Sequence, residues 1–496
     1  MKLTKKLLIF TILTLTGIPA FAQSVDTAWV RYYNGPGNGD DGPCAIAADD
    51  SGNVYVTGYS AQNSGHPYNF DYATVKYDPD GEEIWVKRYN GPGDHYDWAT
   101  ALALDDSGNV YVTGHSYAGA TYYDFATIKY YPDGDTAWIR RYNGLGAFAD
   151  RAWAITVDNY GNVFVTGSSD GNGIGPDYLT VRYYPNGDTV WVRRYNGPRN
   201  DCDTATAVAV DDSGNVYVTG FSFGIGTLYD YATIKYDSSG NELWLRRYHG
   251  EGNGDDLARA MTIDGSGNVY VTGRSKVTDT WFDIATIKYD PDGDTIWVRR
   301  YDGPQNQWDY AYDTAVDLLG NLYVIGATPQ GGLYLYYDYV TIKYLPQGDT
   351  SWARTYDGSE SGSDVASACV LDDYGNLYVT GNSGTVKYDS AGNQLWIGKW
   401  GGVDIALDRS NNVYVTSGTS DYVNVKYVQF LRGDVNSNGS VTISDVVYLV
   451  NYLFNSGPDP IPAPIVGDAN CDGMVSIIDA VYLINYLFRD GPPPCQ

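Results

Sequence analysis

The stretch Gly52-Asn53-Val54-Tyr55-Val56-Thr57-Gly58, GNVYVTG, decides how this chain is read, because it returns seven more times with small changes. The later copies begin at Gly108, Gly161, Gly214, Gly267, Gly320, Gly375 and Asn411, at steps of 56, 53, 53, 53, 53, 55 and 36 residues. Self-similarity at so long a period marks a repeat architecture, in which each unit buries its apolar surface against its neighbours.

Outward from the phrase, each full repeat holds four short segments of alternating polarity separated by Gly, Asp, Asn and Pro. In the second copy these are ATALAL (99–104, segment A), VYVT of the phrase (110–113, B), DFATIKY (124–130, C) and AWIRRY (137–142, D). Asp-Ser-Gly-Asn and Pro-Asp-Gly-Asp supply the A–B and C–D turns. Four antiparallel strands per repeat make a β-propeller blade, so the predicted class is all-β, an eight-bladed propeller. Segment A and the segment-D tryptophan each occur eight times. However, Trp29 precedes the first segment A, and no tryptophan follows the last segment C. The strand around Trp29 is therefore expected to complete the eighth blade, joining the two ends and leaving no blade unpaired. Alanines dominate segment A because the innermost strands crowd the axis, while the repeated Trp and Tyr are expected to pack between blades.

Composition adds limits. Lys2, Lys5 and Lys6, an apolar run from Leu7 to Ile18 and Ala20-Phe21-Ala22 read as a secretory signal peptide over 1–22, cleaved after Ala22, which predicts an extracellular protein. The apolar run is too short to span a bilayer, and no longer one follows. A formal net charge of −28 repels phosphate backbones and attracts cations, so nucleic acid is a poor partner class. Of five cysteines, Cys44, Cys202 and Cys369 sit at unrelated repeat positions and read as buried small residues; Cys471 and Cys495 are a candidate disulfide pair.

The propeller repeat resembles the secreted bacterial β-propeller repeat family, built on a D-x-x-GN-x-YVTG core and a T-x-KY-x-x-x-G strand. That resemblance covers about residues 24–431 and implies a fold and an extracytoplasmic setting, with no common chemistry.

After Arg432 the pattern stops, and GDVNSNGSVTISDVVYLVNYLF and GDANCDGMVSIIDAVYLINYLF appear. Oxygen-bearing residues fall at positions one, three, five, nine and twelve of each loop, with Gly439 or Gly473 at six. They are Asp434, Asn436, Asn438, Thr442 and Asp445, then Asp468, Asn470, Asp472, Ser476 and Asp479, and the carbonyls of Ser440 and Met474 supply position seven. This is EF-hand loop spacing, so two Ca²⁺ sites are expected in 432–496. The second loop has three carboxylates to the first loop's two, and should bind more tightly. Paired loop-helix units lacking an entering helix look like a type I dockerin, a small α-helical module that Ca²⁺ folds. That resemblance implies docking of a cohesin-like domain through Ile443, Ser444, Ile477 and Ile478. Val450-Asn451 and Ile484-Asn485 replace the family's basic pair. The strongly apolar helices could meet such a partner or the protein's own propeller face.

On the propeller over 23–431, Asp41, Asp97, Asp150, Asp203, Asp256, Asp309 and Asp364 recur at the D–A connections, a possible cation ring. Asp71, Asp124, Asp177, Asp230, Asp283, Asp338 and Asp421 open segment C. Both series have a plainer use, bonding local N–H groups or the segment-D arginines. The B–C loops vary most and are rich in aromatics, which suits carbohydrate. The four histidines sit at unrelated positions, and no serine elbow, metal triad or phosphate loop appears, so no catalytic residue is assigned. The leading expectation is a secreted non-catalytic recognition or scaffold protein with a Ca²⁺-dependent docking module. The rival is a carbohydrate-active enzyme, a glycoside hydrolase or polysaccharide lyase, working in polysaccharide breakdown within a cellulosome-like complex.

Overall fold

The computed structural model describes residues 24–62, 69–119, 122–146, 149–171, 175–276, 281–330, 336–358, 362–418, 420–430, 433–436, 441–455, 457–461, 464–472, 474–489, 492 and 494. The signal peptide read over 1–22 lies outside them. Two compact units result, one over Val25–Val428 and one from Gln429 onward.

The first unit is an eight-bladed β-propeller of four-stranded antiparallel sheets. Blade two shows the pattern, with strand A at Asp97–Leu104, B at Val110–Tyr117, C at Tyr123–Tyr130 and D at Thr136–Tyr142. Blades one to seven are contiguous in sequence. The eighth pairs Ser24–Tyr33, Tyr422–Phe430, Val413–Ser417 and Asp404–Leu407 in that order, so the chain's first strand is its outermost strand, as Trp29 implied.

The repeated phrase is an instruction for one turn. Asp49 Oδ1 accepts the amides of Ser51 and Asn53, both at 2.9 Å, and Oδ2 accepts Asn53 Nδ2 at 2.8 Å and the Tyr55 hydroxyl at 3.0 Å. Gly52 has φ +80°, a region costly for a residue with Cβ. The bonds satisfy polar groups where the chain reverses, leaving Val54 and Val56 free to be fully buried.

Blades adhere through aromatic seams. Tyr55, Tyr72 and Trp85 of blade one pack with Ala99, Val110, Val112, Ala126, Ile128 and Tyr130 of blade two. Trp85 Nε1 and Lys76 Nζ both donate to Pro132 O of the next blade, at 3.2 and 3.0 Å. The closing seam repeats this, with Trp29 Nε1 on Pro79 O at 3.1 Å. Burial of each such side chain contributes roughly 1.5–3 kcal/mol.

One feature of the innermost strands was not expected from the sequence. In blades one to seven strand A carries a β-bulge that leaves Cys44, Thr100, Trp153, Thr206, Arg259, Tyr312 and Ser367 without a strand-B partner. A bulge re-aims the side chain it carries. Three of these residues bond the next blade: Thr100 to Ala152 O, Thr206 to Ala258 O and Ser367 to Gly402 O, at 2.9, 3.2 and 2.6 Å.

The second unit holds two helices, α1 (Ile443–Asn455) and α2 (Ile477–Phe488). Val446 and Leu449 of α1 and Ala480 and Leu483 of α2 form its core with Phe430, Val435, Val466 and Ala469. Ser476 caps α2 and Asp479 completes a capping box. Among the described residues no helix is long and apolar enough to cross a membrane.

Candidate functional site

The aspartates read as a possible ring are at most 3% exposed, and each serves its own blade. Oδ2 of Asp41, Asp97, Asp150, Asp203, Asp256, Asp309 and Asp364 accepts the amide of Gly35, Gly91, Gly144, Gly197, Gly250, Gly303 and Gly358, at 2.6 to 2.8 Å. Five of the aspartates that open strand C pair with strand-D arginines, as at Asp124 and Arg141, 3.0 Å apart. Both series share one face, since Asp97 lies opposite Ser116 and Ser116 opposite Asp124.

The bulged residues converge on that face. Cys44, Thr100, Trp153, Thr206 and Arg259, one from each of blades one to five, line a cavity of about 450 Å³ with Trp98, Thr204 and Phe221. Five blades reaching one cavity place it on the propeller axis. A second cavity of about 340 Å³ shares Thr206, Phe221 and Arg259 and adds Leu257, Arg274, Tyr310 and Tyr312. Trp153 is 40% exposed and Arg259 is exposed. Trp98 is fixed by its ring contact with Tyr59, 3.9 Å between centroids, and by donation from Nε1 to Cys44 Sγ at 3.3 Å. Aromatic walls with a guanidinium between them suit a flat ligand with an apolar face and a negative group.

Behind the two tryptophans lies His115, with ring centroids 6.4 Å from Trp98 and 6.0 Å from Trp153. Tyr123 meets it edge-on at 5.2 Å, and Arg151 lies 5.5 Å over the Tyr123 ring. Burial, and then Arg151, push the imidazole down to about 4, so it is neutral at physiological pH, with Nδ1 buried and unbonded among the described residues. Two further acids sit in the innermost strands. Asp313 and Asp404 occupy the place that Ala45 and Ala101 hold in other blades. Asp313 accepts the Cys369 amide and Asp404 the Ile46 amide, both at 2.9 Å, stitching each blade to the next. Burial pushes their carboxyls up to about 6 and about 7.

Cys44, Cys202 and Cys369 are free and only half-buried, so the expectation of buried small residues holds in part. Cys471 is disulfide-bonded; Cys495 lies outside the described residues. His66 and parts of the B–C loops at 63–68, 172–174 and 331–335 also lie outside them.

In the second unit the two loops repeat one geometry. Asp445 accepts the amides of Asn436 at 3.2 Å and Thr442 at 2.8 Å, and Asp479 accepts those of Asn470 and Ser476 at the same two distances. Asp468 accepts the Asp472 amide at 3.1 Å, and Asp472 accepts that of Met474 at 2.9 Å. Asp434, Asp445, Asp468 and Asp479 are at most 5% exposed. The bonds drawn for Asp445 and Asp479 come from amides and hydroxyls, none of them cationic. Buried carboxylates without a cationic side chain fit a bound cation. Asn438, Gly439, Ser440 and Gly473 lie outside the described residues. Ile443, Ile477 and Ile478, read as docking positions, are 51%, 46% and 58% exposed; Ser444 accepts from Asn436 Nδ2 at 3.0 Å.

Comparison with known proteins bears on both units. A beta-propeller repeat model matches residues 28–64, 84–119, 138–175, 190–222 and 246–279, and a dockerin type I domain model matches 432–488. An uncharacterized WD repeat-containing protein of Acanthamoeba polyphaga mimivirus is 24% identical over 75% of this chain, which spans 29% of that protein's length. Among solved structures, a polysaccharide lyase described as an ulvan lyase aligns over 73% of this chain and 96% of its own, with TM-score 0.45 and 11% identity. Drosophila Plexin A in complex with Semaphorin 1b aligns over 84% and 89%, with TM-score 0.39 and 11% identity. Domains of the type I dockerin class bind calcium and cohesin partners and belong to extracellular or cell-surface proteins. The chain is a β-propeller-repeat protein with a carboxyl-terminal type I dockerin domain.

Proposed function

We propose that this protein is a secreted, non-catalytic recognition protein whose propeller holds an acidic carbohydrate at its axial mouth. Its dockerin domain attaches it to a cohesin-like partner. The observation that carries the reading is the cavity lined by Trp98, Trp153, Phe221 and Arg259. Indole faces stack on the apolar faces of sugar rings, and an exposed guanidinium recognises a carboxylate or sulfate. The bulged position supplies Trp153 and Arg259 and varies widely between blades, as does the column that holds Trp98. In the dockerin domain, each loop holds one Ca²⁺ through Asp434, Asn436, Asn438, Ser440, Thr442 and Asp445, or through Asp468, Asn470, Asp472, Met474, Ser476 and Asp479. The bound ion supplies the positive charge that the twelfth-position aspartates face, and Ile443, Ser444, Ile477 and Ile478 meet the partner.

Affinity electrophoresis on a panel of neutral and uronate-bearing polysaccharides tests the propeller. A uronate polymer should retard the protein, and Trp153→Ala and Arg259→Ala should each weaken retardation about tenfold or more. No retardation by any acidic polymer would sink the reading.

The carbohydrate-active alternative rests on His115, Tyr123 and Arg151. A neutral imidazole, a phenol and a guanidinium, here grouped behind the tryptophans of a sugar-sized cavity, are the groups that β-elimination at a uronate needs, one to take a proton, one to give one and one to neutralise the carboxylate. Release of new unsaturated or reducing ends from the same panel, lost in His115→Ala, would replace the non-catalytic reading.

A further inference from the structure

Blades one to five close their variable-loop face with one lock. Arg88, Arg141, Arg194, Arg247 and Arg300 pair with Asp71, Asp124, Asp177, Asp230 and Asp283 at 2.9, 3.0, 3.1, 2.7 and 3.1 Å. Each also donates to a strand-B serine hydroxyl of its blade, as Arg141 does to Ser116 at 2.6 Å and Arg300 to Ser275 at 2.8 Å. In blades one to four the residue after that serine adds an amide to the D–A aspartate, as Tyr117 does to Asp97 Oδ1 at 3.1 Å.

Blade six keeps the acids and loses both donors. Thr355 lies opposite Val340 where Arg300 lies opposite Ala285, so threonine stands in the arginine's place. Pro329 stands in the place of the donating residue and has no N–H to give. The results are visible in the buried polar atoms. Thr328 and Asp309 are both 0% exposed, and Thr328 Oγ1 and Asp309 Oδ1 lack a well-formed hydrogen bond among the described residues. The hydroxyl is still near enough to Asp309 to lower its carboxyl, but burial dominates and pushes it up to about 6. A Cβ on Gly303 would collide with both orphaned atoms. At the matching Gly35 the same space holds Ser60 Oγ, Asp41 Oδ1 and Arg88 Nη1. The orphaned atoms therefore face the spot that a guanidinium fills in blade one.

Asp338, directly opposite Thr328, is the acid whose arginine is missing. Its carboxylate lies with those of Asp357 and Asp364 in a cluster whose ligand atoms are all within 4.8 Å of one another. Burial first, then Asp357 and Asp364, push Asp338 up to about 6. For the cluster, blade five is the internal control, although Asp256 Oδ1 is orphaned there as Asp309 Oδ1 is in blade six. Asp283, Asp302 and Asp309 form an equally tight cluster, but there Arg300 pairs with Asp283. Blade six has the cluster without the cationic side chain.

We propose that blade six binds a hard divalent cation at Asp338, with Asp357 and Asp364 as further oxygen ligands and the buried Thr328 hydroxyl facing the place an arginine fills elsewhere. The donor set is carboxylate and hydroxyl with no imidazole or thiolate, which selects Ca²⁺ over zinc or copper. The site is separate from the dockerin loops and does not depend on the carbohydrate reading.

Calorimetric titration of the full chain with Ca²⁺ alone tests it, using Thr355→Arg, which restores the lock of blades one to five, and Asp338→Asn, which removes one ligand with little change of shape. The dockerin domain is identical in all three proteins, so any difference reads blade six. Each variant should bind one ion fewer than the wild type, with the missing site in the roughly 10⁻⁴ to 10⁻³ M range of extracellular modules. Thr355→Arg should also abolish the part of the calcium-induced rise in melting temperature that is read by tryptophan emission. Equal stoichiometry in the wild type and Asp338→Asn, or a propeller melt indifferent to calcium in the wild type, overturns the proposal.

Discussion

In the propeller, Asp97 receives amides from Gly91 and Tyr117 and Asp124 pairs with Arg141. In the dockerin domain Asp445 and Asp479 are just as buried, yet the bonds drawn for them come only from amides and hydroxyls. The two units share an acidic composition and differ in who supplies the positive charge. A repeat that contacts two neighbours can afford arginine and a wide aromatic seam. A module of this size rarely gains more than about 3–5 kcal/mol from its core, and on the reading proposed above a bound cation becomes part of its fold.

The comparison can be broken most directly by chelation, where the largest effect is expected. All 13 tryptophans lie in the propeller, so their emission reports that unit alone. EGTA added to the full chain should melt the helical circular dichroism signal of 429–496 and open it to protease, while tryptophan emission keeps its native form. Helices that survive chelation would erase the contrast. Next in size, Trp191→Ala removes a seam side chain that is 6% exposed and bonded to Ser238 O at 3.2 Å. It should cost about 3–5 kcal/mol, read as a lower urea midpoint by fluorescence, with the dockerin domain's calcium response unchanged. Smaller again, Arg141→Ala removes the guanidinium that pairs with Asp124 in a partly exposed site and should cost about 2 kcal/mol. A loss within error would mean that amides, not arginine, hold the acids.

The smallest effect is a pH trend. Burial raises Asp97, Asp256, Asp309, Asp313 and Asp338 to about 6 and Asp404 to about 7, against about 3.9 for an aspartate in an unfolded chain. The folded propeller therefore binds more protons than the unfolded chain between those values. The stability linked to these groups is complete below the unfolded pKa and is lost as pH rises through 6 to 7. His115, lowered to about 4, works the other way but is one group against six. Melting followed by tryptophan emission should be higher at about pH 5 than at about pH 8, and the reverse order would show that the buried acids are not the controlling groups.

How far the sequence reached is clearest in strand A. The count of GNVYVTG copies and the early position of Trp29 were enough for the blade number and the closure, because both are properties of one period. The loop spacing was enough for the dockerin module. The bulge was hidden: ATALAL alternates without a visible break, although Thr100 has no partner and Ala99 and Ala101 flank the slip. A column comparison offers only a partial cue: Cys44, Thr100, Trp153, Thr206, Arg259, Tyr312 and Ser367 vary between columns that are mostly alanine, but the unbulged column that holds Trp98 varies as widely. The departures of blade six, Pro329 and Thr355, were equally readable as letters. Their meaning required knowing that in blade two the first position donates to Asp97 and the second to Asp124.

The closing blade has a mechanical consequence. In blades one to seven the chain departs from the outermost strand, an edge that peels one bond pair at a time. From the eighth it departs along Tyr422–Phe430, which has Ser24–Tyr33 on one side and Val413–Ser417 on the other. Tension that reaches the propeller along the chain from the dockerin domain enters through a strand paired on both flanks. It must shear two ladders together before the ring opens.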